Sequence, residues 1–403
     1  MAFATGVAKQ LLYKAESTWG TLAGASGAQR LRRVTSTLSL KKQTYESNEI
    51  VDHYQVADFR HGVRSVEGSI SGELSPGTWE DFLSAAVRKA FAAVTALTGL
   101  SLTIATSSTN YTITRASGSF LTDGVKAGDV VRITAGSVNA ANLNKNAICL
   151  SVTALVATVY VMNGLAMTAE GPIASCTLTV VGKKAFTPTT GHTDPSFTIE
   201  HYHSDITKSM QFTGCKINSV AISLPPTGIS TIEFGMMGKD VTTGSSAYFT
   251  SPTAATTTGV VAAVNGVVTL NGVKVATITG LTINVAGGMS AVPVVGSNSY
   301  SDIAEGRVRV TGQLTALFED LTYHDLFDAE TEFAIAAAFT TASTAAADFV
   351  SFVMPRVKLG SADIDDGEKN LSQTLSFTAL YNSAGGAGTS SEQSTLVIQD
   401  SQA

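Results

Sequence analysis

His201 and His203 are the residues of this chain whose types and spacing come nearest to chemistry, with Asp205 two positions on. On a strand, side chains two apart share one face, so both imidazoles could point at one ion. Zinc would need a third ligand at suitable geometry, and the chain has neither H-E-x-x-H nor paired cysteines. The pair therefore reads as a polar, partly exposed sheet face. Asp363, Asp365, Asp366 and Glu368 form an acidic run without the spacing of a calcium-binding helix-loop-helix, and read as an acidic turn. Cys149, Cys176 and Cys215 are an odd number with no C-x-x-C pair, so buried free thiols are expected rather than a disulfide scaffold. There is no G-x-S-x-G elbow, and Gly287-Gly288 sits at a strand turn rather than before a phosphate-binding helix. No catalytic residue, cofactor or metal ligand is assigned, and the chain reads as non-enzymatic.

A different segment invites a role in contacts. Residues 42–61 are long for a hairpin loop and carry Lys42, Glu46, Glu49, Asp52, Asp58 and Arg60. Mixed-sign charge confers register on an interface, so this segment is expected to be an inter-subunit arm. Its counterpart, residues 286–303, is almost uncharged and should meet a different surface. Trp79 and Tyr323 lie on apolar helix faces; they read as core packing and are also carried as candidate inter-subunit contacts.

These residues must be positioned by a largely β framework. Period-2 alternation dominates, as in Ser65-Val66-Glu67-Gly68-Ser69-Ile70-Ser71 and Lys216-Ile217-Asn218-Ser219-Val220-Ala221-Ile222. Such alternation fits antiparallel sheets packed on one face. Two segments read as helix, 76–89 and 319–330, each placing apolar residues on one stripe. Each helix follows a long strand, and the two strand–helix stretches align without a gap. Asp58 falls on Asp302, Gly62 on Gly306, Val66 on Val310, Gly68 on Gly312 and Asp81 on Asp325. Trp79 falls on Tyr323, and Leu83 on Phe327. A duplicated unit serves geometry before chemistry.

The expected fold is mainly β: two antiparallel β-sandwich units, each with one flanking helix, plus an inserted small β-barrel. Residues 1–99 and 182–241 would form the first unit, 100–181 the insert, 242–260 a Thr/Ser/Ala-rich linker, and 261–403 the second unit. The last apolar residues, Leu396, Val397 and Ile398, follow a Gly/Ser-rich stretch and are expected to form a detached C-terminal arm.

Composition narrows function. The chain has 403 residues, of which 44% are apolar and only 14% charged, with net charge −6. So few charges suggest a surface spent on neighbours, and no basic run supports sequence-specific nucleic-acid binding. The N-terminus does not read as a signal peptide, and the longest near-apolar stretch, 91–105, is too short and too interrupted to span a bilayer. No membrane partner is expected.

Several motifs, taken in order, resemble the tail tube proteins of long-tailed, non-contractile bacteriophages. They are Tyr13-Lys14-Ala15-Glu16-Ser17-Thr18-Trp19-Gly20-Thr21, Glu46-Ser47-Asn48-Glu49-Ile50 and Asp58-Phe59-Arg60-His61-Gly62. Ser75-Pro76-Gly77-Thr78-Trp79-Glu80-Asp81-Phe82 and Phe212-Thr213-Gly214-Cys215-Lys216-Ile217-Asn218 follow, then Val295-Gly296-Ser297-Asn298 and Pro355-Arg356-Val357-Lys358. The resemblance spans most of the chain outside 100–181. It implies β-sandwiches with a flanking helix, stacked as rings into a hollow tube, with the insert as an outer-wall decoration. It also implies a virion tail location after assembly in the host cytoplasm. The implied partners are further copies of the chain, a tape-measure protein, a tail terminator and distal tail proteins, with double-stranded DNA passing through without specific binding. With two units per chain, a pseudo-hexameric trimer is preferred to a true hexamer, and a net-acidic chain suits an anionic lumen. The alternative reading is a β-sandwich decoration or adhesion protein of the virion.

Overall fold

The computed structural model describes residues 3–403. Its backbone is organised by two long strands that each bend between two sheets. In the first half, Lys208–Leu224 pairs at its start with Phe197–His203 and Asp240–Gly244, and at its end with Thr231–Gly238. In the second half, Phe349–Ile364 pairs at its start with Phe333–Thr340 and Val397–Asp400, and at its end with Ser372–Ala379. Both strands shift register at the same place, between Ile217 and Ser219 and between Leu359 and Ser361. The repeat read from Asp58 and Asp302 thus extends to the return strands.

The duplicated strands themselves, Phe59–Glu73 and Arg309–Leu317, occupy matching positions. Val66 lies opposite Gly238, and Val310 opposite Ala379. Gly68 and Gly312 explain why a glycine recurs there. Gly68 has φ +149°, and a Cβ on it would meet the Leu38 backbone at 2.7 Å. At Gly312 a Cβ would collide with the Thr282 carbonyl and the Phe377 ring.

In each half the two sheets stack face to face over one continuous apolar core. Val66, Ile70 and Phe234 meet Phe197 and Phe212 in the first half; Leu314 and Phe377 meet Ile335 and Phe352 in the second. Helix α1, Glu80–Val87, and helix α2, Thr322–Asp328, each follow their duplicated strand, both shorter than the sequence stripe suggested. Phe82 and Leu83 of α1 are buried in this core.

A closed six-stranded barrel, from Leu97–Ser107 to Glu170–Val180, has its own interior of Leu102, Ile104, Phe120 and Val159. It leaves the chain from the first half yet packs on the second. Val130, Ile148 and Leu150 close against Ala336, Ala338, Phe349 and Val353. The strand Phe349–Ile364 is therefore covered on both faces along Phe349–Met354, which is why its alternation disappears there.

Polar groups fix this mount. Lys184 Nζ lies 3.0 Å from Asp129 Oδ2 and 3.1 Å from Glu392 Oε1, all within the packed seam. The Gln399 amide accepts from Val130 N–H and donates to the Val130 and Val181 carbonyls. The expected detached arm is corrected here: Leu396, Val397 and Ile398 are at most 3% exposed, in and beside a strand paired with both Phe349–Ile364 and Lys183–Phe186. Burying three adjacent apolar residues outweighs the flexibility of the Gly/Ser-rich stretch before them.

Candidate functional site

The side chains singled out for chemistry are turned to structural use. His201 is 3% exposed, shares a hydrogen bond of 2.8 Å with Ser36 Oγ, and stacks edge-on against Phe212. Burial, then the nearby Lys9, Arg33 and His203, push its pKa down to about 3. Asp205 instead accepts from the Thr5 N–H and hydroxyl. Cys149, Cys176 and Cys215 are free and buried, and burial pushes each thiol up. No helix of the described residues is long and apolar enough to cross a membrane.

The feature that organises the surface is a joint between the two halves. The end of Lys208–Leu224 pairs antiparallel with Ile278–Ala286: Ser219 opposite Ala286, Ala221 opposite Asn284, Ile222 opposite Ile283 and Leu224 opposite Leu281. One sheet consequently runs unbroken from Ser39–Glu46 through Phe59–Glu73, Thr231–Gly238, Lys208–Leu224, Ile278–Ala286, Arg309–Leu317 and Ser372–Ala379 to Phe349–Ile364.

The face of this sheet away from the core is paved with small polar groups. One rung crosses it as Ser71, Glu233, Ala221, Asn284, Thr311 and Thr378; the next runs Glu73, Thr231, Ser223, Thr282, Gln313 and Ser376. Hydroxyls pair across strands, as between Thr35 and Ser71 at 2.7 Å and between Ser361 and Ser376 at 2.8 Å. Glu67, Glu73 and Glu233 put negative charge on this face, and Arg309, Lys41 and Lys358 stand on it as well. A depression of about 440 Å³ opens on it beside Ser71, Ala221 and Glu233.

The joint is clamped at one end. Arg88 donates to the Gly306 and Gly287 carbonyls at 2.8 and 2.9 Å and lies 3.3 Å from Glu305. Lys216 reaches Asp194 at 2.5 Å, the Ile303 carbonyl at 3.1 Å and Asp302 at 3.7 Å. Beyond the clamp, the loop after Ile278–Ala286 lies across the first half, where Arg64 N–H donates to the Asn298 carbonyl.

The charged segment of the first half has a different fate. Lys42 and Glu46 project from Ser39–Glu46, and Glu49 and Asp52 lie on an exposed loop. Asp58 pairs with Arg60 at 2.7 Å, both largely exposed. Ile50 and Tyr54 on this loop are fully exposed. Trp79 packs in the core as its helix stripe suggested, and its place among the contact candidates is corrected: it is 2% exposed, packs on Phe82 and Phe234, and donates its indole N–H to the Glu73 carbonyl. A side chain sealed in the core cannot meet another subunit. Tyr323 is half-buried beside a cavity of about 530 Å³ lined by Leu270, Val275, Leu317, Leu326 and Phe333. Sequence reasoning missed the joint itself. The matching alternation of residues 219–224 and 281–286 was visible, but nothing local says that the two segments pair.

A family model described as phage tail tube protein matches the chain twice, over residues 6–199 and 186–379. The chain belongs to the phage tail tube protein family. The two matches together cover residues 6–379, including both duplicated strands. No curated protein matches the chain. Membership gives it a structural role in the tail tube and a place in the virion tail.

Proposed function

We propose that this chain is the wall subunit of the tail tube of a long-tailed, non-contractile phage. Copies close into rings, the rings stack, and double-stranded DNA passes through the bore. The observation that carries this reading is the sheet joint inside the chain. It shows how two tube units share one sheet, and repeating it between chains would turn an eight-strand sheet into a barrel without edges. Because each chain supplies two units, three chains make a six-unit ring. Ring-on-ring contact is heterologous and does not close, so it yields a filament whose length other tail proteins must set: a tape-measure protein, a terminator and the distal tail.

The free face of the joined sheet then lines the bore. Serine and threonine hydroxyls give it a wet, smooth surface, and the few carboxylates repel phosphate. The expected anionic lumen becomes a nearly neutral, hydroxyl-rich one. The barrel lies on the opposite side of the sandwich and so decorates the outer wall. The exposed loop 47–58 lies over the neighbouring chain, as loop 293–301 lies over Arg64 within the chain.

Negative-stain microscopy of the purified protein tests this. Hollow tubes of uniform diameter with three chains per ring are expected. Monodisperse globules at high concentration would overturn the reading and favour a decoration protein.

A further inference from the structure

The sheet that joins the two halves ends in two open edges. At one end is the stretch 36–41 beside Phe59–Glu73, at the other the stretch 361–366 that finishes Phe349–Ile364. Each has an internal counterpart that is already paired. Matching the registers places Ser361 on Ser219, Asp363 on Ala221 and Ile364 on Ile222, and continuing the alternation two residues past the last pair would set Asp366 on Leu224. The same matching places Ser36 on Leu281, Leu38 on Ile283, Ser39 on Asn284 and Lys41 on Ala286.

We propose that residues 361–366 of one copy pair antiparallel with residues 36–41 of a second copy, in the register of the internal joint, and that opposite charge selects this pairing. Ser361 then faces Lys41, Asp363 faces Ser39, Ile364 faces Leu38, and Asp366 faces Ser36. The proposal rests on the tube reading and gives its ring contact a residue-level address.

Charge on the two edges supports it independently. The internal joint is uncharged on both sides, from Ser219 to Leu224 and from Leu281 to Ala286. The open edges are charged and opposite. Asp363, Asp365, Asp366 and Glu368 cluster on one, all exposed. Behind the other stand Lys9 and Arg33, with His201, which burial keeps neutral, beside them. Lys9 Nζ donates to the Ser36 carbonyl at 3.3 Å, and Arg33 donates to the Lys9 carbonyl at 2.8 Å. Neither has a carboxylate partner among the described residues, and Arg33 Nε and His203 Nδ1 are buried without any partner. In the proposed pairing the strand continues past Ile364, which sets Asp366 on the core side, opposite Ser36 and beside these cations, as its counterpart Leu224 is 2% exposed in the core. Ile364, 40% exposed, would close on Leu38 as Ile222 closes on Ile283.

The clamp repeats as well. Across the internal joint Lys216 reaches Asp302 and the Ile303 carbonyl. Lys358 and Asp58 are the matching residues at the two open edges; within the single chain they pair with Glu330 and Arg60, partners the joint would exchange. This gives the recurring aspartate of the duplicated stretch a use in both copies. A covalently guaranteed joint needs no charge code; a joint between separate chains gains register and partner choice from one.

Two experiments on the full chain test the proposal. Asp363→Cys combined with Ser39→Cys should, on oxidation of assembled tubes, give covalent multimers ending in a closed three-chain species. The shifted pair Asp363→Cys with Leu40→Cys should crosslink at least about tenfold less, since one residue of slip turns a side chain to the other face. The native cysteines are buried and leave a low background. Asp366→Lys and Lys9→Glu should each cut the sedimenting tube fraction about tenfold, with the monomer still folded by circular dichroism, and the two together should restore it. Tubes whose aligned and shifted pairs crosslink equally would overturn the joint while leaving the tube reading intact. Single reversals that assemble like wild type would overturn the charge selection. A wild-type chain that never forms tubes would overturn the tube reading, and the joint with it.

Discussion

The two copies of the strand–helix stretch follow the same backbone path and differ in what lies over them. Trp79, Phe82 and Leu83 of the first copy are at most 2% exposed, whereas Phe327 of the second is 39% exposed and Leu321 is 55% exposed. The difference comes from later chain segments. Lys183–Phe186 returns against α1, and the C-terminal strand reaches its start, where Gly77 N–H donates to Asp400 Oδ2 at 2.8 Å. Helix α2 packs on Phe349–Ile364 and keeps an open cavity beside Tyr323. A repeated local sequence therefore fixes a shape, while burial is set by what the rest of the chain delivers to it.

The sharpest test of that contrast is truncation at matched positions. Trp79→Ala should cost about 4 kcal/mol in denaturant unfolding of the unassembled chain, and Tyr323→Ala about 1 kcal/mol, because a cavity already adjoins it. Equal losses would break the comparison. The mount between barrel and second half comes next. Asp129→Ala leaves Lys184 buried with one acid fewer and should cost about 3 kcal/mol, with faster proteolysis near residues 181–186.

Asp400, at the meeting of the first helix and the last strand, supplies a pH test. Burial pushes its carboxyl up to about 6, against the N–H groups of Gly77 and Gln402 that favour the charged form. The folded chain thus holds this proton more tightly than the unfolded chain. Its stabilising contribution is full below the unfolded value of about 4 and is lost as pH rises through about 6, a change of about 2–3 kcal/mol. Thermal melts of Asp400→Asn should lack this decline between pH 4.5 and 7. A variant with the same pH slope as wild type would show that the contact is loose.

The smallest effect on stability belongs to the free sheet face. Glu67→Lys with Glu233→Lys should change stability by less than about 0.5 kcal/mol and leave tube length unchanged. DNA ejection through such tubes should slow, because lysine contacts to phosphate retain the strand. Ejection at the wild-type rate would remove this face from the bore.

Much of this was legible locally. Alternation gave the β character, the stripes at Trp79 and Phe82 and at Leu321, Leu326 and Phe327 gave both helices, and the gapless alignment of Asp58 with Asp302 gave the duplication. Lys42, Glu46, Glu49 and Asp52 marked their segment as one kept out of the core, since charges are rarely buried unpaired, but the full exposure of Ile50 and Tyr54 among them was not legible. The stripe at Trp79 also read as core packing, but which segments cover it, among them Phe234 more than 100 residues away, was not legible, and neither was the docking of Leu396, Val397 and Ile398. The acidic run at Asp363 and the histidine pair at His201 lie beside the two open edges of one sheet, a placement set by pairings between segments far apart in the chain.

By itself, then, the sequence determined element types, the repeat and the sparse charge, because these follow from side-chain periodicity over a few residues. Only the tertiary structure decided which strand joins which, where the barrel rests, and which face stays free. Those choices rest on pairings between segments far apart in the chain, where many alternating strands offer equivalent partners and only the packed whole selects among them.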